Sequence, residues 1–212
     1  MLDLQNQWEL KSRDNTQKQK TPLEFFVFVW YDSYMILSDT KIRQLIEAGD
    51  IIIKPYDDSC LGCNSYDVHL SPHLRVYTSD ILDARAHNQT RDITIGDEGF
   101  VLQPGVLYLG STIEYTESHK HVPFIEGKSS TGRLGISIHA TAGRGDVGFC
   151  GHWTLEITVP QPVRVYAGMP IAQLIYYVVD GEVAVPYNKK QSAKYSDQGE
   201  KPVESMMWKN EF

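Results

Sequence analysis

Cysteine is scarce. Cys60, Cys63 and Cys150 form an odd set of three in 212 residues. No disulfide framework can be built from them, and a reducing compartment, the cytoplasm, is expected. Long apolar runs are missing as well. The longest, "FFVFVW" at 25–30, falls well short of the roughly twenty residues that a bilayer-spanning helix needs. There is no excess of positive charge. The net charge of −7 removes the whole-molecule field that would draw nucleic acid or an anionic membrane. It leaves room for an anionic small ligand, because a few local cations decide such a site. No signal peptide is expected, since the chain starts with a polar stretch of mixed charge. No internal repeat and no low-complexity tract interrupts a composition ordinary for a globular chain able to bury one core.

The chain divides near Met35. Residues 1–34 begin with the polar, aperiodic "QNQWELKSRDNTQKQKT" and then carry "EFFVFVW", which has the β propensity of an edge strand. They are read as an extension without chemistry, preceding a domain over 35–212. "MILSDTKIRQLIEAGD" predicts a helix. Ser38 or Asp39 caps it, Ile42, Leu45 and Ile46 form its apolar stripe, and Gly49 ends it. Short β-prone runs follow: "IIIKP", "SYDVHL", "LRVYT", "GFVLQPGVLYLGST", "LGISIHAT", "HWTLEITV", "VRVYAGMPIAQLIYYVV" and "EVAVPY". Their number and spacing predict a mainly β barrel or sandwich. The closing "NKKQSAKYSDQGEKPVESMMWKNEF" offers few core candidates and reads as a surface arm.

"FIEGKSSTGRLG", residues 124–135, contains the Gly-Lys-Ser of a phosphate loop. A Walker A loop also needs a glycine five residues before its Gly-Lys pair and a helix after it. Val122 stands at the glycine position, and the following "RLGISIHAT" alternates like a strand, so the Walker reading fails. The residue types still suit an anion held from a β turn. Lys128 and Arg133 carry charge, Ser129 and Ser130 carry hydroxyls, and Gly127 and Gly132 admit backbone amides. A plain polar turn between strands is the alternative that these residues alone leave open.

The stretch "EGKSSTGRLGISIHATAGRGDVGFCGHWTLE" resembles the dCTP deaminase branch of the dUTPase-like superfamily. It shows, in order, that family's Ser-Ser-x-x-Arg-Leu-Gly loop, Thr-Ala hinge, Asp-x-Gly-aromatic turn and Thr-Leu-Glu strand. "MILSDTKIRQLIEAGDIIIKPYD" and "LGCNSYDVHL" are similar to its opening, and "PYNKKQSAKYSDQG" to its closing arm, so the likeness runs from Met35 to the end. The resemblance implies a dUTPase-like β-clip, a distorted jelly-roll barrel with a short N-terminal helix. It also implies a homotrimer whose sites are shared between subunits.

The same resemblance implies hydrolytic deamination of dCTP, with Glu156 activating water and shuttling protons. A free glutamate, with its pKa of about 4.3, is a weak base, so enclosure is expected to raise it. Arg133 and Ser129 would border the catalytic water and, with Lys128 and Ser130, grip the triphosphate, Thr131 and Gly132 adding backbone groups. Thr141 and Ala142 would offer carbonyls to the cytosine amino group, and Thr154 and Leu155, just before the catalytic position, would bind substrate too. Asp146 would accept from the sugar 3′-hydroxyl, and Phe149 would lie under the deoxyribose. Tyr187, Lys194 and Gln198 belong to an arm, about 187–212, that closes over the nucleotide. Mg²⁺ is expected to enter on the substrate triphosphate, and dTTP is a possible feedback ligand by family habit.

Zinc-dependent deaminases carry His-x-Glu followed by Pro-Cys-x-x-Cys. "CLGC" at 60–63 follows no proline, no His-x-Glu occurs, and His119 and His121 in "HKH" are read as locally satisfied, so no zinc is expected. The stretch around Arg144 and Gly145 mixes features of enzymes that stop at dUTP with those that continue to dUMP and diphosphate; simple deamination is preferred. A non-enzymatic β-sandwich binding phosphorylated ligands or sugars would explain the loop while giving Glu156 no task.

Overall fold

The structure, a computed structural model, describes residues 35–212; the expected N-terminal extension and its "EFFVFVW" run lie outside them. Ser38 opens helix α1 (Asp39–Glu47), its Oγ accepting from Lys41 N at 3.4 Å. Ile42 and Leu45 are buried one turn apart, and Ile46 packs beside them at the margin of the core. At the other end Gly49 takes φ +76°. Gly49 N donates to Ile46 O at 3.0 Å and Asp50 N to Leu45 O at 2.9 Å, a Schellman stop that only a residue tolerant of positive φ allows cheaply.

Nine strands follow: β1 (Ile51–Lys54), β2 (Tyr66–Tyr77), β3 (Thr90–Thr94), β4 (Phe100–Leu102), β5 (Tyr108–Ser118), β6 (Val122–Gly127), β7 (Phe149–Ile157), β8 (Val163–Val165) and β9 (Pro170–Tyr177). Seven form one antiparallel sheet in the order β1-β5-β2-β9-β6, with β3 added to β2 and β7 to β5; β4 and β8 pair separately. The long strands β2 and β5 each serve three partners by shifting register part-way, between Leu70 and Leu74 and between Ser111 and Tyr115. Such irregularities bend a sheet and let it curl around a core. That core holds Ile42, Ile51, Tyr66, Leu70, Leu155, Ile157, Leu174 and Tyr176, all 1% exposed or less.

Three expected elements differ. "SSTGR" is not a β turn but a short helix, α2 (Ser129–Arg133), steadied where Thr131 Oγ1 donates to Lys128 O at 2.8 Å and Gly132 N to the same oxygen at 2.9 Å. Five residues still make no Walker helix. "LGISIHAT" keeps its alternation at 136–138, with Ile136 and Ile138 buried and Ser137 exposed, after a turn at Leu134-Gly135. It is nevertheless no regular strand: its pairing stops at an isolated Ser137–Thr158 bridge. "EVAVPY" likewise forms no strand, whereas β3 and β6 arise from runs too polar or proline-broken to be expected.

Candidate active site

β7 pairs with β5 on one side, and its other edge receives two non-strand segments. Near its end, Glu156 N donates to Ile138 O at 2.7 Å. That bond fixes the neighbouring His139 beside the Glu156 side chain, with His139 Nδ1 3.3 Å from Glu156 Oε2. The His139 side chain is 8% exposed and the Glu156 side chain 39%. The approach is close but poorly directed as a hydrogen bond, and no other group partners either buried imidazole nitrogen. The imidazole holds the Glu156 carboxyl below the ordinary carboxylate range, and this outweighs the upward push of partial burial. Burial pushes upward as expected, but in the ligand-free chain the imidazole, as hydrogen-bonding partner first and as charge second, outweighs it.

Before β7, residues 143–145 lie tightly against β6. Ile125 N donates to Gly143 O at 2.7 Å and Gly145 N to Pro123 O at 2.8 Å. A Cβ on residue 143 would sit 2.4 Å from Ile125 O, so the close approach demands glycine there. Asp146 is exposed and turns the chain, its carbonyl accepting from Phe149 N at 3.0 Å. Phe149 is buried, its ring centroid 4.5 Å from that of Trp153.

The C-terminal arm docks on the same edge. Tyr187 N donates to Val147 O at 2.7 Å, and the Tyr187 hydroxyl accepts from Tyr195 N at 3.0 Å. Gln198 bridges Gly151 in parallel, its carbonyl accepting from His152 N at 3.0 Å. Gly151 has φ +139° and a Cβ there would lie 2.7 Å from Gln198 N, so the strand leaves a gap shaped for the arm. Thr154 Oγ1 completes the clasp, donating to Gln198 Oε1 at 2.7 Å and accepting from Val203 N at 3.1 Å. Farther on, Glu204 pairs with Arg75 and lies 2.9 Å from His87 Nε2.

Between edge and arm lies a cavity of about 390 Å³, large enough for a nucleoside. Of the expected site residues, Ala142, Asp146, Phe149, Thr154, Glu156, Tyr187 and Gln198 line it. Thr141 instead lines a neighbouring cavity of about 410 Å³, with His139 common to both. The expected phosphate residues stand elsewhere in this chain. Lys128 pairs with Asp67, Arg133 Nη1 donates to Ser129 O at 3.1 Å, Thr131 is buried, and Ser129, Ser130 and Gly132 are exposed. Leu155 is fully buried in the core, and Lys194 contacts Asn210 rather than the cavity.

Sequence reasoning missed His139, Trp153, Tyr195 and Glu204 among the lining residues. His139 and Tyr195 sit within stretches already singled out, "LGISIHAT" and "PYNKKQSAKYSDQG", whereas Glu204 carries no local signal. Among the described residues no group of three or more His, Cys, Asp or Glu is placed to hold a metal ion. Cys60 and Cys63 are free thiols, and His119 faces Glu117 at 3.1 Å.

Residues 36–179 match the dCTP deaminase-like family. A protein of Cytophaga hutchinsonii is 50% identical over 161 residues, covering 76% of this chain and 90% of its own length. One from Clostridium acetobutylicum is 47% identical over 163 residues, covering 77% and 91%. One from Leptospira biflexa is 47% identical over 177 residues, covering 83% and 98%. All three bear the name dCTP deaminase, dUMP-forming. Among solved structures, the 2′-deoxycytidine 5′-triphosphate deaminase of Agrobacterium tumefaciens shares the fold, with a TM-score of 0.55 at 22% identity over 71% of this chain and 50% of that one.

Proposed function

The chain belongs to the dCTP deaminase-like family, and on that premise we propose that it hydrolyses dCTP to dUMP, ammonia and diphosphate. The sequence reading preferred a reaction ending at dUTP. Relatives this similar over most of the chain are named for dUMP formation, so that preference is withdrawn.

The observation that carries the proposal is the meeting of Glu156, Ala142, Asp146, Phe149 and the arm residues Tyr187 and Gln198 around one cavity. A pyrimidine seated against β7 presents C4 and N3 to Glu156. With its pKa held down, the carboxylate is in the basic form at neutral pH and takes a proton from water as the oxygen adds to C4. The proton passes to N3, and a second transfer through Glu156 lets the C4 amino group leave as ammonia. The backbone carbonyl of Ala142, which lines the cavity, accepts from the cytosine amino group, a hydrogen-bond sense that a uracil carbonyl cannot satisfy. A second water then opens the bond between the α- and β-phosphates, releasing diphosphate.

Lys128, Ser129, Ser130 and Arg133 do not line the Glu156 cavity of their own chain. In this reading they reach the triphosphate, with the Mg²⁺ it carries, from a neighbouring copy in a homotrimer. A helix this short with free hydroxyls at Ser129 and Ser130 suits phosphate oxygens once a partner supplies the base pocket.

Incubating the full chain with dCTP and Mg²⁺, followed by ion-exchange chromatography, tests the proposal. Equal amounts of dUMP and diphosphate, without free dUTP, are expected. Accumulating dUTP would restore the simple deaminase, and unchanged dCTP would leave a binding module.

A further inference from the structure

Gly145 and Trp153 are eight positions apart in the sequence and fill one space. A Cβ on residue 145 would lie 2.7 Å from Trp153 Cη2 and 3.0 Å from Pro123 Cγ, so the backbone at 145 is pressed between an indole edge and β6. The indole cannot step aside. Trp153 Nε1 donates to the buried Thr116 Oγ1 at 2.9 Å, and its ring packs against Phe149 with centroids 4.5 Å apart. Its 6% exposure leaves no other side open. Gly145 itself is anchored by its N–H to Pro123 O at 2.8 Å.

The residue that follows this contact is Asp146, and Phe149 ends the same turn; both line the Glu156 cavity, as do Gly145 and Trp153. One rigid indole thus sets the position of an apolar ring and of a carboxylate within a few residues of each other. That wall sets a carboxylate, able to accept from a sugar hydroxyl, close in the chain to an aromatic ring that has no polar group of its own to offer. Such chemistry favours a deoxyribose over a ribose, whose 2′-hydroxyl would lose water without replacement.

We infer that Trp153 is a positioning residue for sugar discrimination, acting through its contact with Gly145 and Phe149 to place Asp146 and the ring. This rests on the deaminase reading for the identity of the nucleotide. Misplacement of a contact by about an ångström can cost on the order of a hundredfold, so the contact is expected to show in selectivity.

Gly145→Ala, Trp153→Phe, Trp153→Leu and the pair Gly145→Ala with Trp153→Leu test it in the full chain. The measurements are dCTP and CTP turnover and calorimetric binding of each, with near-UV circular dichroism to establish folding. Gly145→Ala is expected to raise KM for dCTP and lower the dCTP-over-CTP preference about tenfold or more, with a much smaller change in kcat. Trp153→Phe keeps an aromatic ring but loses the reach to residue 145, and is expected to lower the preference in the same direction. Joining Trp153→Leu to Gly145→Ala makes room for the methyl and is expected to recover part of the preference lost in Gly145→Ala. A folded Gly145→Ala or Trp153→Phe with unchanged preference overturns the inference, and so does a pair that recovers nothing. Wild-type protein that binds dCTP over CTP without turnover refutes the enzyme reading while leaving this one standing, to be judged on binding. Binding of neither nucleotide ends both.

Discussion

Thr154→Val removes a hydroxyl and keeps the shape of the side chain, which isolates what that hydroxyl holds. In the wild-type chain it donates to Gln198 Oε1 at 2.7 Å and accepts from Val203 N at 3.1 Å, so both halves of the arm meet on it. Each bond has a net worth of about 0.5–1.5 kcal/mol, or about 1–3 kcal/mol for the two. The docked arm should therefore open about 5- to 150-fold more often in the variant. Lys189, Lys190 and Lys209 are exposed along the arm and none precedes a proline, which makes trypsin a direct reporter. When opening is fast relative to cleavage, the rate of nicking follows the open population. Limited trypsinolysis without nucleotide should speed up within that range, and KM for dCTP should rise as closure becomes costlier, with the thermal midpoint of the core little changed. Equal nicking rates and equal KM in the two proteins would refute the clasp, because the hydroxyl would then hold nothing that moves.

His139→Gln addresses pH. With His139 present, the folded carboxyl of Glu156 lies below its ordinary value, so its stabilising contribution is present above about pH 4.3 and lost as pH falls through the lowered value. The acid limb of kcat/KM should accordingly lie below that of a free carboxylate in the wild type. It should move upward in His139→Gln, which removes the cation-capable ring and leaves at most a weaker amide donor against the push of partial burial; a limb that stays put contradicts the pairing. Leu155→Ala empties a fully buried site between two cavity residues, and urea unfolding should report a loss of about 2–5 kcal/mol. A loss under half of that would mean the core closes over the gap. Gly151→Ala puts a methyl 2.7 Å from Gln198 N at a backbone angle that disfavours any side chain. Tryptic nicking of the arm should rise sharply in that variant, and an arm still protected would mean that β7 can shift to admit it.

Elements announced by several coincident local signals were legible beforehand. Helix α1 is the clearest: Ser38, the Ile42–Leu45 pair and Gly49 each mark a different feature of one helix, and all three serve as expected. Strand β2 was seen as two runs because Ser71-Pro72 interrupts it. The structure carries the strand through with a shift in register at that point, where proline's missing N–H does no harm. β6 hides behind Val122-Pro123; its ladder runs with β9, and on its other edge Pro123 serves as an acceptor, its carbonyl taking the Gly145 N–H. Helix α2 is too short to show a period, and the alternation at 136–138 describes an extended segment whose partners run out after one bridge.

The candidate site was legible where its residues lie within continuous stretches, as Asp146, Phe149 and Glu156 do. His139 was not, because its place beside Glu156 depends on how the 137–138 segment aligns with the end of β7, and no local pattern encodes that alignment. The same holds for Glu204, which reaches Arg75 from the far end of the chain. Complementary shapes such as Gly145 against Trp153 are invisible until both are placed.

The central claim is that Glu156 moves the protons of deamination. Glu156→Gln keeps the side chain's size and removes its basicity, so dCTP affinity by calorimetry should stay within a few-fold of wild type. Release of ammonia in a single turnover should fall by about 10²–10⁴-fold. Ammonia released by Glu156→Gln at the wild-type rate would contradict the account.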